Sequence, residues 1–402
     1  MANNISSHHP SVIAAEALRH LEDKFSITNM CTRDAGSEFS TRANGWKVGD
    51  TVSFRTHGDY EAKEFTGAGP VTVQDISTSK RSMQIEKHYD VSVSVTAREE
   101  VLHLDSFSDQ VLRPASYRLA EKVEGYVASK LVMGGTAGTP TGPGGGMGMH
   151  VSDDLLGTLA DVATARKVAT LQQLESERFA IVDLDLEAKL LGSQWFSQAA
   201  YRGELGVNST TTGVMGTVMG INWNSSLHFP TNATAHTPGD GTASTNNDSG
   251  ANNKIGDTTL VCTAVTIGTG FKAGDRIAIA GVRRPLVVKT AAAATATSIV
   301  LVDPITEIIP DGAAIVSVGN VAGTPKALTY QGAIFDSRSL AVAFPMLDAP
   351  GDRVTGVASN NGVSIRVVKG YDLSTKTTTL SLDLLVGAFC LDPRRITLLA
   401  NY

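Results

Sequence analysis

The stretch SFSDQVLRPASYRLAEKVEGYVASKLVMGG, residues 106–135, sets the frame of the fold. Its apolar side chains recur every four residues, at Ala115, Leu119, Val123 and Val127. That spacing puts them on one face of an α-helix. Pro114 suits the first helical turn, where no N–H is needed, and Gly134 suits the end. We predict a helix over 113–133, roughly 30 Å long at 1.5 Å per residue.

A glycine-rich stretch, GGTAGTPTGPGGGMGMH, follows at 134–150. A phosphate-binding loop would need G-x-x-x-x-G-K-[ST] between a strand and a helix. Here the glycines follow a helix, and no Lys or Arg occurs from Leu131 to Ala165. The dinucleotide pattern G-x-G-x-x-G also fails, because Met147 and Met149 stand where its last glycine belongs. We therefore interpret the stretch as a flexible connector.

In the residues before this helix, apolar and polar side chains alternate with the period of two that is typical of β-strands. VGDTVSF at 48–54 and VTVQDI at 71–76 alternate, and so do the residues from 91 to 95. Between the first two lies a charged, glycine-containing segment at 55–70. The pattern predicts a long β-hairpin over 46–90 with a mobile tip. Since two strands alone are barely stable in water, the hairpin is expected to lie on other structure.

The first helical pattern of the chain is SVIAAEALRHLEDKF, residues 11–25. Its apolar residues are again four apart, at Ile13, Ala17, Leu21 and Phe25. Ser11 suits the helix cap. The apolar stripe is narrow, and the next forty residues contain no second helical pattern on which it could pack. We predict an amphipathic arm that docks on a partner subunit.

Towards the C-terminus the patterns alternate between helix and strand. Residues 152–174 predict a helix and 178–184 a buried strand, which together form a small α/β unit. Residues 232–256 contain almost no apolar side chains, which indicates a boundary or a loose loop. Short strand patterns over 259–319 predict a small barrel. Long alternating strands follow from 326 onward.

Composition excludes several classes of protein. The net charge is −6 and the pI about 5.9, which argues against a dedicated nucleic-acid binder. The cysteines are too far apart for a zinc or redox pair, so we expect reduced thiols at Cys31, Cys262 and Cys390. No apolar stretch approaches the 18 residues of a membrane span, and the first ten residues do not form a secretory signal. We expect a soluble protein that is made and used inside a cell.

No motif of a catalytic or metal site occurs. H-E-x-x-H and G-x-S-x-G are both missing from the sequence. The pair Asp153–Asp154 reads as helix capping. The pair Asp183–Asp185 follows a strand, where a carboxylate could serve chemistry, but no base or metal ligand accompanies it. A spatial triad stays open at this point. We predict no enzyme, no cofactor and no metal.

Several stretches resemble the major capsid proteins of tailed bacteriophages, and specifically the podovirus coat-protein branch. VGDTVSF (48–54) is similar to the start of that family's extended loop, and residues 105–131 to its spine helix, with Pro114 in the familiar place. FKAGDRIAIAGV (271–282) resembles the signature of an inserted domain. The segment 364–399 resembles the closing sheet. The chain departs from the family near Val386, where an aromatic is usual, and the 232–256 tract has no clear counterpart.

The resemblance implies an α+β, Johnson-type capsid fold with an inserted small β-barrel. It divides the chain into an arm, an extended hairpin loop, a peripheral domain with the spine helix, an axial domain, the inserted barrel and a closing sheet that returns to the axial and peripheral domains. The implied limits of these six parts are, in order, 1–45, 46–90, 91–150, 151–231, 232–326 and 327–402.

The implied function is that of a shell protein. Many copies would form the hexamers and pentamers of an icosahedral capsid in the host cytoplasm, guided by a scaffolding protein. A portal protein would admit double-stranded DNA, enclosed without sequence-specific binding. A decoration protein is left open, and no membrane is involved. Contacts between subunits are expected from the arm and from the hairpin tip, at Ile13, Leu21, Phe25, Asp59, Glu61, Lys63 and Glu64.

Two other functions stay open. An encapsulin-like compartment with the same fold would load an enzyme instead of a genome. A β-rich adhesin that binds a surface glycan would form monomers or trimers, and the Asn/Thr/Gly-rich tract at 232–256 is compatible with it.

Overall fold

The computed structural model describes most of the 402-residue chain. The described residues are 10–33, 47–55, 80–96, 108–132, 148–152, 156–172, 174, 177–197, 212–229, 239, 241–247, 252–265, 270–318, 320–321, 324–325, 328–347, 354–373 and 377–401. They form two compact units. The first takes in residues up to 22, those between 33 and 119, and those between 341 and 391. The second takes in 23–32, the residues between 120 and 340, and those from 392.

Helices and strands are both abundant, so the predicted α+β class is confirmed. The helices are α1 (Pro10–Glu22), α2 (Arg113–Val132), α3 (Leu159–Leu171), α4 (Leu184–Gly192) and α5 (Gln194–Ser197). The strands are β1 (Thr51–Arg55), β2 (Lys80–Gln84), β3 (Lys87–Thr96), β4 (Gly148–Ser152), β5 (Arg178–Val182), β6 (Gly216–Val218), β7 (Ile221–Ser225), β8 (Thr242–Ser244), β9 (Thr259–Val261), β10 (Arg276–Ile279), β11 (Leu286–Val287), β12 (Ser298–Val300), β13 (Ala314–Ser317), β14 (Asn320–Val321), β15 (Thr324–Pro325), β16 (Thr329–Phe335), β17 (Leu340–Ala343), β18 (Val354–Asn360), β19 (Val363–Asp372), β20 (Thr377–Cys390) and β21 (Ile396–Asn401).

The first unit is built on a sheet whose central strand is β20. The strand order is β17-β20-β19-β18, and β3 also pairs with β20. β20 and β3 are antiparallel over ten residue pairs, from Thr377↔Thr96 to Val386↔Lys87. The apolar side chains of β20 alternate with polar ones over Leu380, Leu382 and Leu384, all of which are buried. Strands close in space thus come from distant parts of the chain.

Helix α1 packs on this sheet, against β18 and β19. Ile13 and Leu21 are 5% and 0% exposed, and Phe25, beyond the helix, is 4% exposed. The expectation that this apolar stripe lacks a partner within its own chain is therefore wrong. No second helical pattern follows within forty residues, because α1 packs instead on β18 and β19, more than 300 residues further along.

A glycine lets α1 approach the sheet closely. A Cβ atom on Gly356, in β18, would lie 2.1 Å from the carbonyl carbon of Pro10 and 2.4 Å from the nitrogen of Ser11. Both distances are far below van der Waals contact, so a larger residue would displace the helix. At the other end of α1, Asn360 Nδ2 donates a hydrogen bond to Glu22 Oε2 at 2.9 Å.

The base of the predicted hairpin is present, with a different second strand. β1 pairs with β2 from Thr51↔Gln84 to Arg55↔Lys80. The strand predicted at 71–76 lies outside the described residues. Met83 and Ile85 are fully buried with Leu385 of β20. The base is therefore anchored in the chain's own core. The tip residues Asp59, Glu61, Lys63 and Glu64 also lie outside the described residues.

The second unit contains most of α2 and a six-stranded mixed sheet of order β4-β21-β16-β5-β7-β6. The helix predicted over 113–133 is found at Arg113–Val132. The pairs β21–β4 and β5–β7 are parallel, and the other pairs are antiparallel. Trp223, Phe196 and Ile334 are fully or almost fully buried in a core shared with α3 and α4. This sheet joins strands from before and after 232–326.

Between β7 and β16, six short strands pair in a ring. β11, β10, β13 and β8 form one antiparallel sheet, and β12 and β9 form another. Two isolated bridges connect the sheets, Thr245↔Cys262 between β8 and β9 and Val288↔Leu301 between β11 and β12. Apolar side chains of both sheets share one core, with Leu260, Ile277, Ile299 and Ile315 at 0% exposure.

Candidate functional sites

One four-residue turn occurs three times with the same geometry. Its sequence is Lys-x-Gly-Asp, and its copies are 47–50, 254–257 and 272–275. In each copy the Asp N–H donates to the Lys carbonyl at 3.0–3.1 Å, and the Lys N–H donates to the Asp carboxylate at 2.7–2.9 Å. The glycines, at φ of +87° to +100°, occupy the left-handed region that the third position of a type II turn requires.

The backbone of each copy forms two further hydrogen bonds with a buried β-branched residue. The glycine N–H donates to the carbonyl of that residue at 2.8–2.9 Å, and the N–H of that residue donates back to the Asp carbonyl at 2.8–2.9 Å. The partners, in chain order of the turns, are Ile85, Ile305 and Val288, all at most 1% exposed. The Lys-x-Gly-Asp repeat is visible in the sequence. It was not predicted, because the first and third copies were considered only as parts of longer motifs.

Asp275 in the third copy has an additional role. Its Oδ2 accepts hydrogen bonds from Lys272 N–H at 2.7 Å and from Gly239 N–H at 2.9 Å. Asp275 is 1% exposed. One buried carboxylate thus closes the turn before β10 and holds residue 239, which precedes β8, against it.

A buried carboxylate also fastens α2. Glu124, 1% exposed, accepts hydrogen bonds from Ser26 Oγ at 2.9 Å, Ile27 N–H at 2.8 Å, and the N–H and Oγ1 of Thr28 at 3.0 and 2.6 Å. Four donors offset the large desolvation cost of a buried charge. Glu124 therefore fixes the segment after α1 to the middle of the long helix.

Each unit also holds an Arg–Asp pair in which the carboxylate is buried and the arginine is half-buried. In the first unit, Arg366 makes a two-pronged contact with Asp383, and His88 Nε2 lies 3.3 Å from the same carboxylate. In the second, Arg395 Nη1 donates to Asp336 Oδ2 and Ser339 Oγ to Asp336 Oδ1, both at 2.6 Å. Both pairs join neighbouring strands or strand ends. They read as structural ties, because breaking such a pair leaves an uncompensated buried charge.

Residues with shifted pKa values lie on or directly beside the six-stranded sheet of the second unit. Asp183 follows β5 and caps α4 by accepting a hydrogen bond from Leu186 N–H at 2.9 Å. Burial raises the pKa of Asp183 to about 6, although the bond from Leu186 N–H opposes the rise. Burial also lowers the pKa of His150, against the opposing charge of Asp161.

The predicted site residues do not converge on one place. Ile13, Leu21 and Phe25 are buried within the chain, and the four tip residues lie outside the described part. Asp153 and Asp154 also lie outside it. Asp183 is a helix cap, and Asp185 is exposed in the first turn of α4. Among the described residues, no three His, Cys, Asp or Glu side chains are grouped as a metal site would need. No described helix is both long and apolar enough to span a bilayer.

Comparisons with known proteins give likenesses of structure only. No protein-family model matches the chain, and no curated protein matches it. The chain is similar to the capsid structure of cyanophage P-SCSP1u, at 14% identity and a TM-score of 0.47, over 89% of this chain and 85% of that one. It is also similar to the mature capsid of bacteriophage PhiM1, at 12% identity and a TM-score of 0.42, over 90% and 86%.

A third likeness is to a virus-like particle from Pyrococcus furiosus. The identity is 10% and the TM-score 0.39, over 96% of this chain and 97% of that one. All three likenesses are at 14% identity or less.

Proposed function

We propose that this protein is the subunit of a bacteriophage capsid shell with a Johnson-type fold. The observation that carries the proposal is the order and pairing of its elements. A helix on a sheet comes first, then a hairpin base, a long helix, an α/β sheet, a ring of six short strands and a return to both sheets. This is the order that the resemblance to capsid proteins implies.

We propose the implied limits of the six parts as the domain organisation. An inserted barrel at 232–326 is supported by the strands on either side of it, because β7 and β16 belong to the same sheet. It is supported as well by the ring of pairings from β8 to β13 around a single core. Domain insertions are tolerated at surface points where chain ends lie close together.

Within the shell, we propose the hairpin tip as the contact between subunits. β1 and β2 pair at their far ends through Arg55↔Lys80, and residues 56–79 connect them. Asp59, Glu61, Lys63 and Glu64 belong to this connection, and the base of the hairpin is fixed by Met83 and Ile85. The buried residues Ile13, Leu21 and Phe25 are not proposed as contacts.

The partners in this proposal are other copies of the chain, in hexamers and pentamers. A scaffolding protein would guide them, a portal protein would admit DNA, and a decoration protein could bind outside. The net charge of −6 suits a shell that encloses DNA without gripping it. The place of action is the virion capsid, assembled in the host cytoplasm.

Sedimentation velocity of the purified full-length protein tests the proposal. A shell protein is expected to sediment partly or wholly as one narrow, very large species, far from the 42.2 kDa of a single chain. Species no larger than trimers under all assembly conditions would contradict the proposal and favour the adhesin. Large particles that contain a co-purified enzyme in place of DNA would favour the encapsulin-like compartment.

A further inference from the structure

A small, partly open cavity lies within the second unit, between β4, β16, β21 and α4. Its volume is ≈ 10 Å³. Its polar lining consists of His150, Ser152 and Gln331, and its apolar lining includes Leu156, Leu186 and Leu399. A space of this size accommodates one water molecule and no larger ligand.

His150 presents a polar atom without a partner. The residue is 8% exposed, and its Nε2 forms no hydrogen bond with any residue that the structure describes. An unpaired buried polar atom destabilises the folded state, because it has lost its hydrogen bonds to water. Native proteins therefore pair such atoms with protein groups or with ordered water.

Gln331 reaches the cavity because of a bulge in β16. The pairing with β21 steps from Tyr330↔Ala400 to Gly332↔Leu399, so Gln331 has no residue opposite it. The backbone carbonyl of Gln331 accepts a hydrogen bond from Asp183 N–H at 2.8 Å. Bulges of this kind redirect a side chain locally. Gln331 lines the cavity, and its side-chain amide can both donate and accept a hydrogen bond.

Ser152 supplies a third polar group. Its Oγ accepts a hydrogen bond from Leu156 N–H at 3.4 Å, and a hydroxyl can make more than one bond. The cavity thus offers the two to four polar partners that a buried water needs. His150 and Ser152 lie on β4, whereas Gln331 lies on β16, and β21 separates these two strands in the sheet.

We propose that this cavity binds one structural water molecule, held by His150 Nε2 and the side chains of Ser152 and Gln331. The water connects β4 to β16 across β21, which no direct pairing between those strands does. Because the pKa of His150 is lowered by burial, its ring is neutral near pH 7 and has one nitrogen free to accept a hydrogen bond from the water. The site does not depend on the proposed shell function.

A high-resolution density map of the full-length protein is the direct test. The expected result is a peak within about 2.7–3.2 Å of His150 Nε2 and of at least one of Ser152 Oγ and the Gln331 amide. Ordered side chains with no peak between them would overturn the proposal. The map needs no variant and so does not depend on whether a variant folds.

Two substitutions at one position give a second test. His150→Leu removes the polar partner, and we expect the melting temperature to fall by about 2–4 °C, since Ser152 and Gln331 lose the bridge. His150→Gln keeps a polar group and is expected to recover at least half of that loss. An equal or higher melting temperature for His150→Leu would mean that the cavity is dry, because the change would then only remove an unpaired polar atom.

Discussion

Asp183 is held between two opposing effects at the start of α4. The helix needs an acceptor at its cap, and the carboxylate provides it to Leu186 N–H at 2.9 Å. The same position is 4% exposed, which disfavours the charge and raises the pKa to about 6 from an ordinary value of 3.8. Since the folded state holds the proton more tightly than the unfolded state, stability is lost as the pH rises from about 4 through 6.

Asp183→Asn should separate the cap from the charge. Asn caps helices about as well as Asp does, but it never ionises. We expect the variant to be more stable than the wild type at pH 8, by on the order of 1–3 kcal/mol, and the difference to disappear near pH 4. Urea unfolding at a series of pH values measures it. A difference that is constant with pH would show that Asp183 titrates as it does in the unfolded chain.

Gly356→Ala tests whether α1 belongs to the subunit's own core. The added methyl group would meet the backbone of Pro10 and Ser11, which cannot move without displacing the helix. We expect a loss of about 1–3 kcal/mol and faster amide exchange along α1. Gly370→Ala is the matched control, because it lies in the neighbouring strand β19 and its added Cβ would meet nothing within 4 Å. Equal effects of the two substitutions would contradict the observed packing of α1.

At the scale of elements, the Lys-x-Gly-Asp turn recurs where a strand must begin in a fixed register. One copy precedes β1, one lies before β9 and one precedes β10. The Asp carboxylates of the copies differ in the hydrogen bonds that they accept. Asp257 is exposed and closes only its own turn, whereas Asp275 is buried and also holds Gly239 N–H.

The repeat therefore contains its own control. Asp275→Ala removes the acceptor of the buried Gly239 N–H and of the partly buried Lys272 N–H, and we expect it to reduce the free energy of unfolding by about 2–4 kcal/mol. Asp257→Ala removes one exposed bond and should cost under about 1 kcal/mol. Chemical denaturation of the two full-length variants makes the comparison. Equal losses would show that the bond to Gly239 adds nothing.

Local patterns predicted α1, α2, α3 and many strands, because a period of 3.6 or 2 can be read within a short window. The helix predicted over 152–174 begins only at Leu159. The helix predicted over 113–133 ends within one residue of α2. The pairings between residues distant in the sequence were not predicted. The sheet under α1 is formed by β18 and β19, and the ring of short strands closes through single bridges such as Val288↔Leu301. No short window of sequence contains both α1 and β18, which are more than 300 residues apart.

The cavity at His150 was likewise beyond sequence reasoning. His150 was one of nine scattered histidines, and Gln331 reaches it only because one extra residue bulges out of β16. Asp183, in contrast, was noted from its place after a strand, although its role is that of a helix cap.

In the whole molecule, the proposed shell function requires the hairpin to make contacts between copies. Its base is anchored by Met83 and Ile85, and its tip carries three acidic residues and Lys63. An exposed ion pair is worth only about 0–1 kcal/mol. Repetition over many copies would nevertheless make assembly sensitive to charge and to salt.

Glu61→Lys with Glu64→Lys should therefore slow or misdirect assembly without unfolding the subunit. We expect an unchanged melting temperature and a reduced yield of large particles, which light scattering measures. The size of this reduction should change as the salt concentration is raised. Glu177→Lys, an exposed position outside the hairpin, is the control and should assemble normally. Normal assembly of the double variant at low salt would remove the tip from the proposed contacts.

Negative-stain electron microscopy of the purified full-length protein tests the central claim most directly. We predict closed, uniform shells tens of nanometres wide, with dense DNA inside particles taken from an infected host. A field of single subunits or trimers, with no closed particle under any assembly condition, would contradict it.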